Sequence, residues 1–310
     1  MSNLEICGDA EVLSIGGPVW AIATAPNGPH FVVGTDEKMP LRPPKPHQST
    51  AEPVYDDLCS HCYSLSFSPD GSAFAIGSGN FSVVVRWVCS PDRPSIVFRG
   101  HFNAVWGVAF SPNGQLVASA SLDKTVKIWD IRNEICRLSF IGHSDGVFST
   151  AFSRDSRSVF SVSADKTLQK FDAETGQVLW RAVGHSNGAQ CLAISVAGDV
   201  LVSGGEDTDI RIWGSECGEC RFICRGHVGA VHSVDFCPGP VVDSYIFGSA
   251  SADMSIRLWS ALSGTCIFVK EMAHVNQINA LRFSFDGQYV LSGSSDGTVK
   301  RWRLAGNDRL

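Results

Sequence analysis

The feature that most constrains this chain is a period. Gly-His pairs stand at Gly100-His101, Gly142-His143, Gly184-His185 and Gly226-His227, so successive histidines are 42 residues apart; Ala273-His274 follows 47 residues later. A second register runs through Trp87, Trp129, Phe171, Trp213, Trp259 and Trp302 in steps of 42, 42, 42, 46 and 43. A third, Asp123, Asp165, Asp207, Asp253 and Asp296, stands six residues before the aromatic each time. Registers that drift together mark stacked copies of one supersecondary unit. The long step has a local cause. Cys237-Pro238-Gly239-Pro240 opens a turn that adds four residues between Phe236 and Asp253, and Pro and Gly are the residues of a turn.

Each unit reads as four short strands. In one, Ala104 to Phe110 is apolar, Ser111-Pro112-Asn113-Gly114 is a turn, and Leu116 to Ser121 is a second strand. Leu122-Asp123-Lys124 turns into Thr125 to Trp129, and Ile135 to Phe140 is the outer strand. Strands this short cannot each bury a face alone. Stacking the sheets radially buries both faces and leaves only short edges. Composition agrees: the chain has 310 residues and is 44% hydrophobic, in the normal globular range.

These residues resemble the WD-repeat family, whose signature is a Gly-His near the start and a Trp-Asp near the end of each unit. The likeness is strong over roughly residues 58–304 and weak over 4–57. It implies an all-β, seven-bladed β-propeller of four-stranded antiparallel blades, a single unit spanning 1–310, with a degenerate first blade. The blades fall at about 14–57, 58–98, 99–140, 141–182, 183–224, 225–270 and 271–304. The last has three strands of its own, so a closing strand from about 4–13 is expected to supply the fourth, as family members do. The resemblance also implies a buried hydrogen-bonded network of His, turn Asp, a strand Ser and Trp. By position it comprises His101, Asp123 and Trp129; His185, Asp207 and Trp213; His227, Asp253 and Trp259; and His274, Asp296 and Trp302. Ser119 and Ser121 are both placed to supply the hydroxyl in the first of these. A buried carboxylate needs donors, imidazole supplies one, and a satisfied network fixes the register of each sheet. These His and Asp residues are therefore read as structural, not catalytic.

The first two units depart from the pattern. Val19 to Ala23 and His30 to Gly34 look like strands, but Met39-Pro40-Leu41-Arg42-Pro43-Pro44-Lys45-Pro46 follows where a third belongs. Proline removes ladder donors, which argues against a central strand. Residues 36–57 are either an exposed loop or a distorted outer half of the blade, and a proline-rich docking segment is the functional reading. In the second unit Leu58 stands in the His register and Asn80-Phe81 at the turn Asp.

Family members commonly bind peptides where the innermost strands begin. Counting five residues on from each histidine reaches Trp106, Phe148, Gln190, His232 and Asn279, and strand alignment adds Trp20 and Tyr63. Large aromatics at such a rim are either binding anchors or packing between blades. Two residues earlier the chain is small at Ala104, Gly146, Gly188 and Ala230, which leaves room for a ligand. Separately, Trp129-Asp130-Ile131-Arg132 resembles the Trp-Asp-x-Arg box by which some WD-repeat proteins dock to cullin-RING ubiquitin ligases as substrate receptors.

Enzyme readings are weaker. Cys217-Gly218-Glu219-Cys220 with Cys224, and Cys59-Ser60-His61-Cys62, have spacings that suit zinc or redox chemistry. Yet Cys220 shares a register with Cys136 and Cys266, which marks a recurring strand position. No Gly-x-Ser-x-Gly elbow, Walker loop or dinucleotide fingerprint stands out. The eleven cysteines suit reduced core thiols. A net charge of −6 argues against a general nucleic-acid surface. No apolar run approaches a membrane span and no signal-peptide pattern opens the chain. The expectation is a monomeric, non-catalytic propeller without cofactor or metal, binding proteins or peptides within a larger complex in cytoplasm or nucleus.

Overall fold

A computed structural model describes residues 4–36, 39–42, 52–54, 60–88, 90, 93–239 and 245–306. β1 (Leu4–Ser14) is followed by six units of four strands. These are β2–β5 (Val19–Thr24, Phe31–Thr35, Met39–Arg42, Glu52–Val54), β6–β9 (Cys62–Phe67, Ala73–Ser78, Ser82–Trp87, Ile96–Arg99) and β10–β13 (Val105–Phe110, Leu116–Ser121, Thr125–Asp130, Ile135–Ile141). Then come β14–β17 (Val147–Phe152, Ser158–Ser163, Thr167–Asp172, Val178–Val183), β18–β21 (Ala189–Ile194, Val200–Gly205, Ile210–Gly214, Cys220–Cys224) and β22–β25 (Val231–Phe236, Ile246–Ser251, Ile256–Ser260, Cys266–Lys270). The chain ends with β26–β28 (Ile278–Phe283, Tyr289–Ser294, Thr298–Gly306). Each unit of four forms one antiparallel sheet in chain order, and a further sheet joins the two ends of the chain in the order β1-β28-β27-β26. The architecture is an all-β propeller of four-stranded antiparallel blades. Among the described residues no helix is long and apolar enough to cross a membrane.

The core lies between blades, not within them. Ala73, Ala75, Val83 and Val85 of one blade pack with Val105, Val117 and Trp129 of the next. Val19, Ile22 and Val33 meet Ala280, Leu291 and Val299, which seals the first blade against the last. Both faces of the second strand of each blade are therefore apolar or small, and β7, β11, β15, β19 and β23 are buried at every residue. Close stacking demands glycine on that strand. A Cβ on Gly34 would stand 2.8 Å from the Cys62 carbonyl of the next blade, and one on Gly77 2.9 Å from that of Val105.

The turn between second and third strands is set by its acid. Lys124, Lys166, Thr208 and Met254 follow the register aspartates with φ of 66–72°, a region costly for residues with a Cβ. In blade three Asp123 Oδ1 offsets the cost by accepting from Thr125 N–H at 3.0 Å and Thr125 Oγ1 at 2.6 Å. Asn80 does the same for Phe81, whose φ is 70°, by accepting from Ser82 Oγ at 2.5 Å. Leu58, in the His register, lies outside the described residues.

The first blade corrects the expectation drawn from its prolines. Met39–Arg42 is a strand, third of four in its sheet, and Glu52–Val54 is the fourth. The proline argument fails because the β3 ladder is short: only Phe31↔Arg42 and Val32↔Leu41 pair, and Pro40 stands one place past its end. On the other side Pro40 faces Pro53, where neither residue has a donor to lose. Residues 37–38, 43–51 and 55–57 of the expected docking segment lie outside the described residues. The insertion after Phe236 is real: nine residues separate β22 from β23, against five between β10 and β11.

Candidate functional site

Five blades carry a Ser, His and Asp in a line that resembles a hydrolase triad. His101 Nδ1 is 2.7 Å from Asp123 Oδ2, and its Nε2 is 2.7 Å from Ser119 Oγ. The same pairs recur as His143–Asp165–Ser161, His185–Asp207–Ser203, His227–Asp253–Ser249 and His274–Asp296–Ser292. Proton bookkeeping assigns every bond. The carboxylate accepts, so Nδ1–H donates to it and Nε2 of the neutral ring accepts from Ser O–H. The indole only donates, and Trp129 Nε1 gives its hydrogen to the same Ser119 Oγ at 2.8 Å. Trp213, Trp259 and Trp302 repeat this on Ser203, Ser249 and Ser292. The serines are 0% exposed, so a substrate carbonyl has no approach to them. The fourth blade, without an indole, still forms its His143 pairs; Gln169 Nε2 donates to Gly142 O at 3.0 Å beside it. Burial alone would raise the Asp123 pKa, but the hydrogen bonds from His101, Thr125 and Phe102 N–H outweigh it and hold the carboxyl well below its ordinary range. Asp165 and Asp253 are held down in the same way.

Ser121, the other candidate hydroxyl, does different work. It donates to Asn103 O at 3.0 Å and accepts from Asp123 N–H at 3.1 Å.

The rim positions have a backbone cause that counting residues does not reveal. In every inner ladder the register slips once, at one place. Val19 faces Thr35 and Ala21 faces Gly34, which leaves Trp20 unpaired. The residues left out of the other ladders are Tyr63, Trp106, Phe148, Gln190, His232 and Asn279. A bulge of this kind re-aims the extra side chain, and all seven are half-buried.

Four of them form a continuous arc. Trp20 meets Tyr63 edge-on at 6.0 Å, Tyr63 stacks on Trp106 at 4.4 Å and 4°, and Trp106 meets Phe148 edge-on at 5.6 Å. His61 stacks over Tyr63 at 6.0 Å. Trp20 Nε1 donates to Asp36 Oδ1 at 2.7 Å, whereas the buried Trp106 Nε1 has no acceptor among the described residues. Burial, and then the Asp36 carboxylate, raise the Tyr63 pKa. The rings therefore pack between blades and still leave part of their area open. The other three positions are polar and tied down. His232 Nδ1 lies 2.8 Å from Gln190 Oε1, Gln190 Nε2 donates to Glu206 at 3.1 Å, and Asn279 Nδ2 donates to Val19 O at 2.8 Å. Burial lowers the His232 pKa. Sequence reasoning missed three neighbours: Phe102, Val228 and Val275, each directly after a register histidine and 81–86% exposed.

The remaining candidates separate. Trp129 is buried in its network, Asp130 accepts from Asn133 N–H and Nδ2 at 2.9 and 3.0 Å, and Arg132 is exposed on the turn that follows. Cys136, Cys220 and Cys266 sit opposite Trp129, Trp213 and Trp259 on the outer strands. Each thiol donates to the carbonyl two residues on. Cys217 is exposed and Cys224 buried. Among the described residues no group of three His, Cys, Asp or Glu is placed to hold a metal ion; Cys59 lies outside them.

The family model "WD domain, G-beta repeat" matches residues 92–130, 134–172, 176–214, 218–260 and 264–303, more than half of the chain. The chain belongs to the WD40 repeat family. It is 36% identical over 78 residues to "Periodic tryptophan protein 2" of Arabidopsis thaliana, covering 25% of this chain and 8% of that protein. It is 42% identical over 72 residues to "WD repeat-containing protein SL1-17" of Schistosoma mansoni, 23% of each. To the human "U3 small nucleolar RNA-associated protein 4 homolog" it is 32% identical over 136 residues, 41% of this chain and 19% of that one. The aligned parts thus span less than a quarter of these relatives.

Proposed function

We propose that the protein is a non-catalytic scaffold that assembles a multiprotein complex and takes partner peptides on the face where the inner strands begin. One observation carries this: the arc of Trp20, Tyr63, Trp106 and Phe148, set by four consecutive bulges on rigid strands and half open to solvent. Aromatic side chains on such a frame give contact area at little entropic cost. Phe102, Val228 and Val275 widen the apolar area on the same end of the blades. Gln190, His232 and Asn279 would supply polar specificity opposite the arc. The propeller acts as a monomer within the complex, on protein rather than nucleic acid, in nucleus or cytoplasm. The name of the U3-associated relative favours the nucleus.

Trp106→Ala and Phe148→Ala should each weaken co-precipitation of partners while leaving the thermal melt near wild type. Equal partner recovery would overturn the assignment of the rim. The exposure of Arg132 favours a second reading, docking to a cullin-RING adaptor through Trp129, Asp130 and Arg132. In the same experiment Arg132→Ala would then lose the adaptor and keep the partners held by the rim.

A further inference from the structure

The inner strands enclose a second feature at the end of the channel away from the bulges. A cavity of about 460 Å³ is lined by the later half of the inner strands and by their turns, including Ser66, Thr150, Asp235, Arg282 and Phe283. That volume suits a small molecule. Three residues beyond the bulge, six of the seven blades contribute a residue to this lining. The position is Ala or Ser in five blades, as at Ala23, Ser66 and Ala109, and is Asp235 and Arg282 in the two adjacent blades that remain. Small residues open the bore, and two opposite charges project into it side by side.

Blade stitching does not require those charges. Ser66 Oγ accepts from Phe110 N–H of the next blade at 3.1 Å. Asp235 Oδ2 accepts from the equivalent Phe283 N–H at 2.9 Å. A hydroxyl therefore suffices for the bond, and the carboxyl, which also accepts from Phe236 N–H, receives no side-chain donor among the described residues. Burial raises the Asp235 pKa against the opposing pull of Arg282. Arg282 is fixed by one nitrogen: Nη1 donates to Leu281 O at 2.7 Å and Ser233 Oγ at 3.2 Å. Its Nε and Nη2 hydrogens bond to nothing among the described residues, and it makes no ion pair with Asp235. The free edge is the fork that grips a carboxylate through two parallel bonds. Two fixed opposite charges that feel each other without touching, in one cavity, match a ligand carrying both charges.

We propose that this end of the channel binds a free α-amino acid, its carboxylate on the Nε–Nη2 edge of Arg282 and its ammonium on Asp235. The site is separate from the rim and stands or falls independently of it. The test is calorimetric titration of the full chain with a panel of free L-amino acids, then with the N-acetyl and amide forms of the best binder. At least one amino acid should bind saturably, and each blocked form should bind about tenfold more weakly or worse, having lost one charge-assisted contact. Asp235→Ser restores the Ser66 arrangement and should weaken the amino acid while sparing its N-acetyl form. Arg282→Gln should weaken the amino acid while sparing its amide. Thermal melts establish that both variants fold. No saturable binding by any member of the panel, or binding that both substitutions leave unchanged, overturns the proposal.

Discussion

Ser203 has no hydrogen to spare for chemistry and is 0% exposed: it gives its proton to His185 Nε2 at 2.7 Å and accepts from Trp213 Nε1 at 2.9 Å. The acid at the far end of each line makes the fold pH-dependent. Asp123, Asp165, Asp207, Asp253 and Asp296 all have lowered pKa values, hydrogen bonding outweighing the burial that would raise them. A carboxyl depressed in the folded state stabilises it fully above its unfolded pKa of about 4, and that contribution disappears as pH falls toward the folded value. His274 adds in the same direction, since burial lowers its pKa and the folded chain resists its protonation. Denaturant midpoints should therefore ease downward as pH drops through about 6.5, where the unfolded His274 takes up a proton, and fall steeply below about pH 4. A midpoint that stays level to pH 2 would contradict this. The registers made the His, Asp and Trp legible, because each spacing repeats. They left Ser119 and Ser121 unresolved, since residues two apart on a strand point to the same face. The network carried over from the family left out His143 and Asp165, although both stand in their registers and their bond does not involve the aromatic.

At the scale of the element, legibility followed hydrogen bonding. Strands with five-residue ladders, such as β11 against β12, declare themselves by alternation and β-branched content. β4 could not, because two pairs to β3 require little of a sequence, and prolines fit wherever no donor is used. The bulges were equally hidden: a one-residue slip leaves no composition signal, though it decides which side chain faces the rim. β1 is an element whose loss can be measured. It pairs Leu4↔Gly306 through Ser14↔Thr298 with one irregularity, and Ile6 packs with Trp302 and Leu304. Removing residues 1–13 strips a full edge from the last sheet. The melting temperature should fall by at least about 5 °C, corresponding to a loss of about three kcal/mol in a chain of this size. An unchanged melt would show that the ring does not depend on that strand.

For the molecule as a whole, the period carried the fold, and the departures from it carry the proposed function. Residues that match the repeat are consumed by packing and by the buried networks. Those that differ from blade to blade are the rim side chains, the exposed Phe102, Val228 and Val275, and the pair Asp235 and Arg282. A competing surface exists on the outer strands, where Ile135, Ile141, Val178 and Val183 are 52–85% exposed. The two faces could only be told apart once side-chain exposure was known, because apolar strand residues read alike in the sequence. Hydroxyl-radical footprinting of the protein alone and in its purified complex separates the two faces. The rim account predicts protection of Trp20, Tyr63, Trp106 and Phe148 with Ile141 and Val183 unchanged. Protection confined to the outer strands, with the four aromatics as reactive as in the free protein, would contradict it.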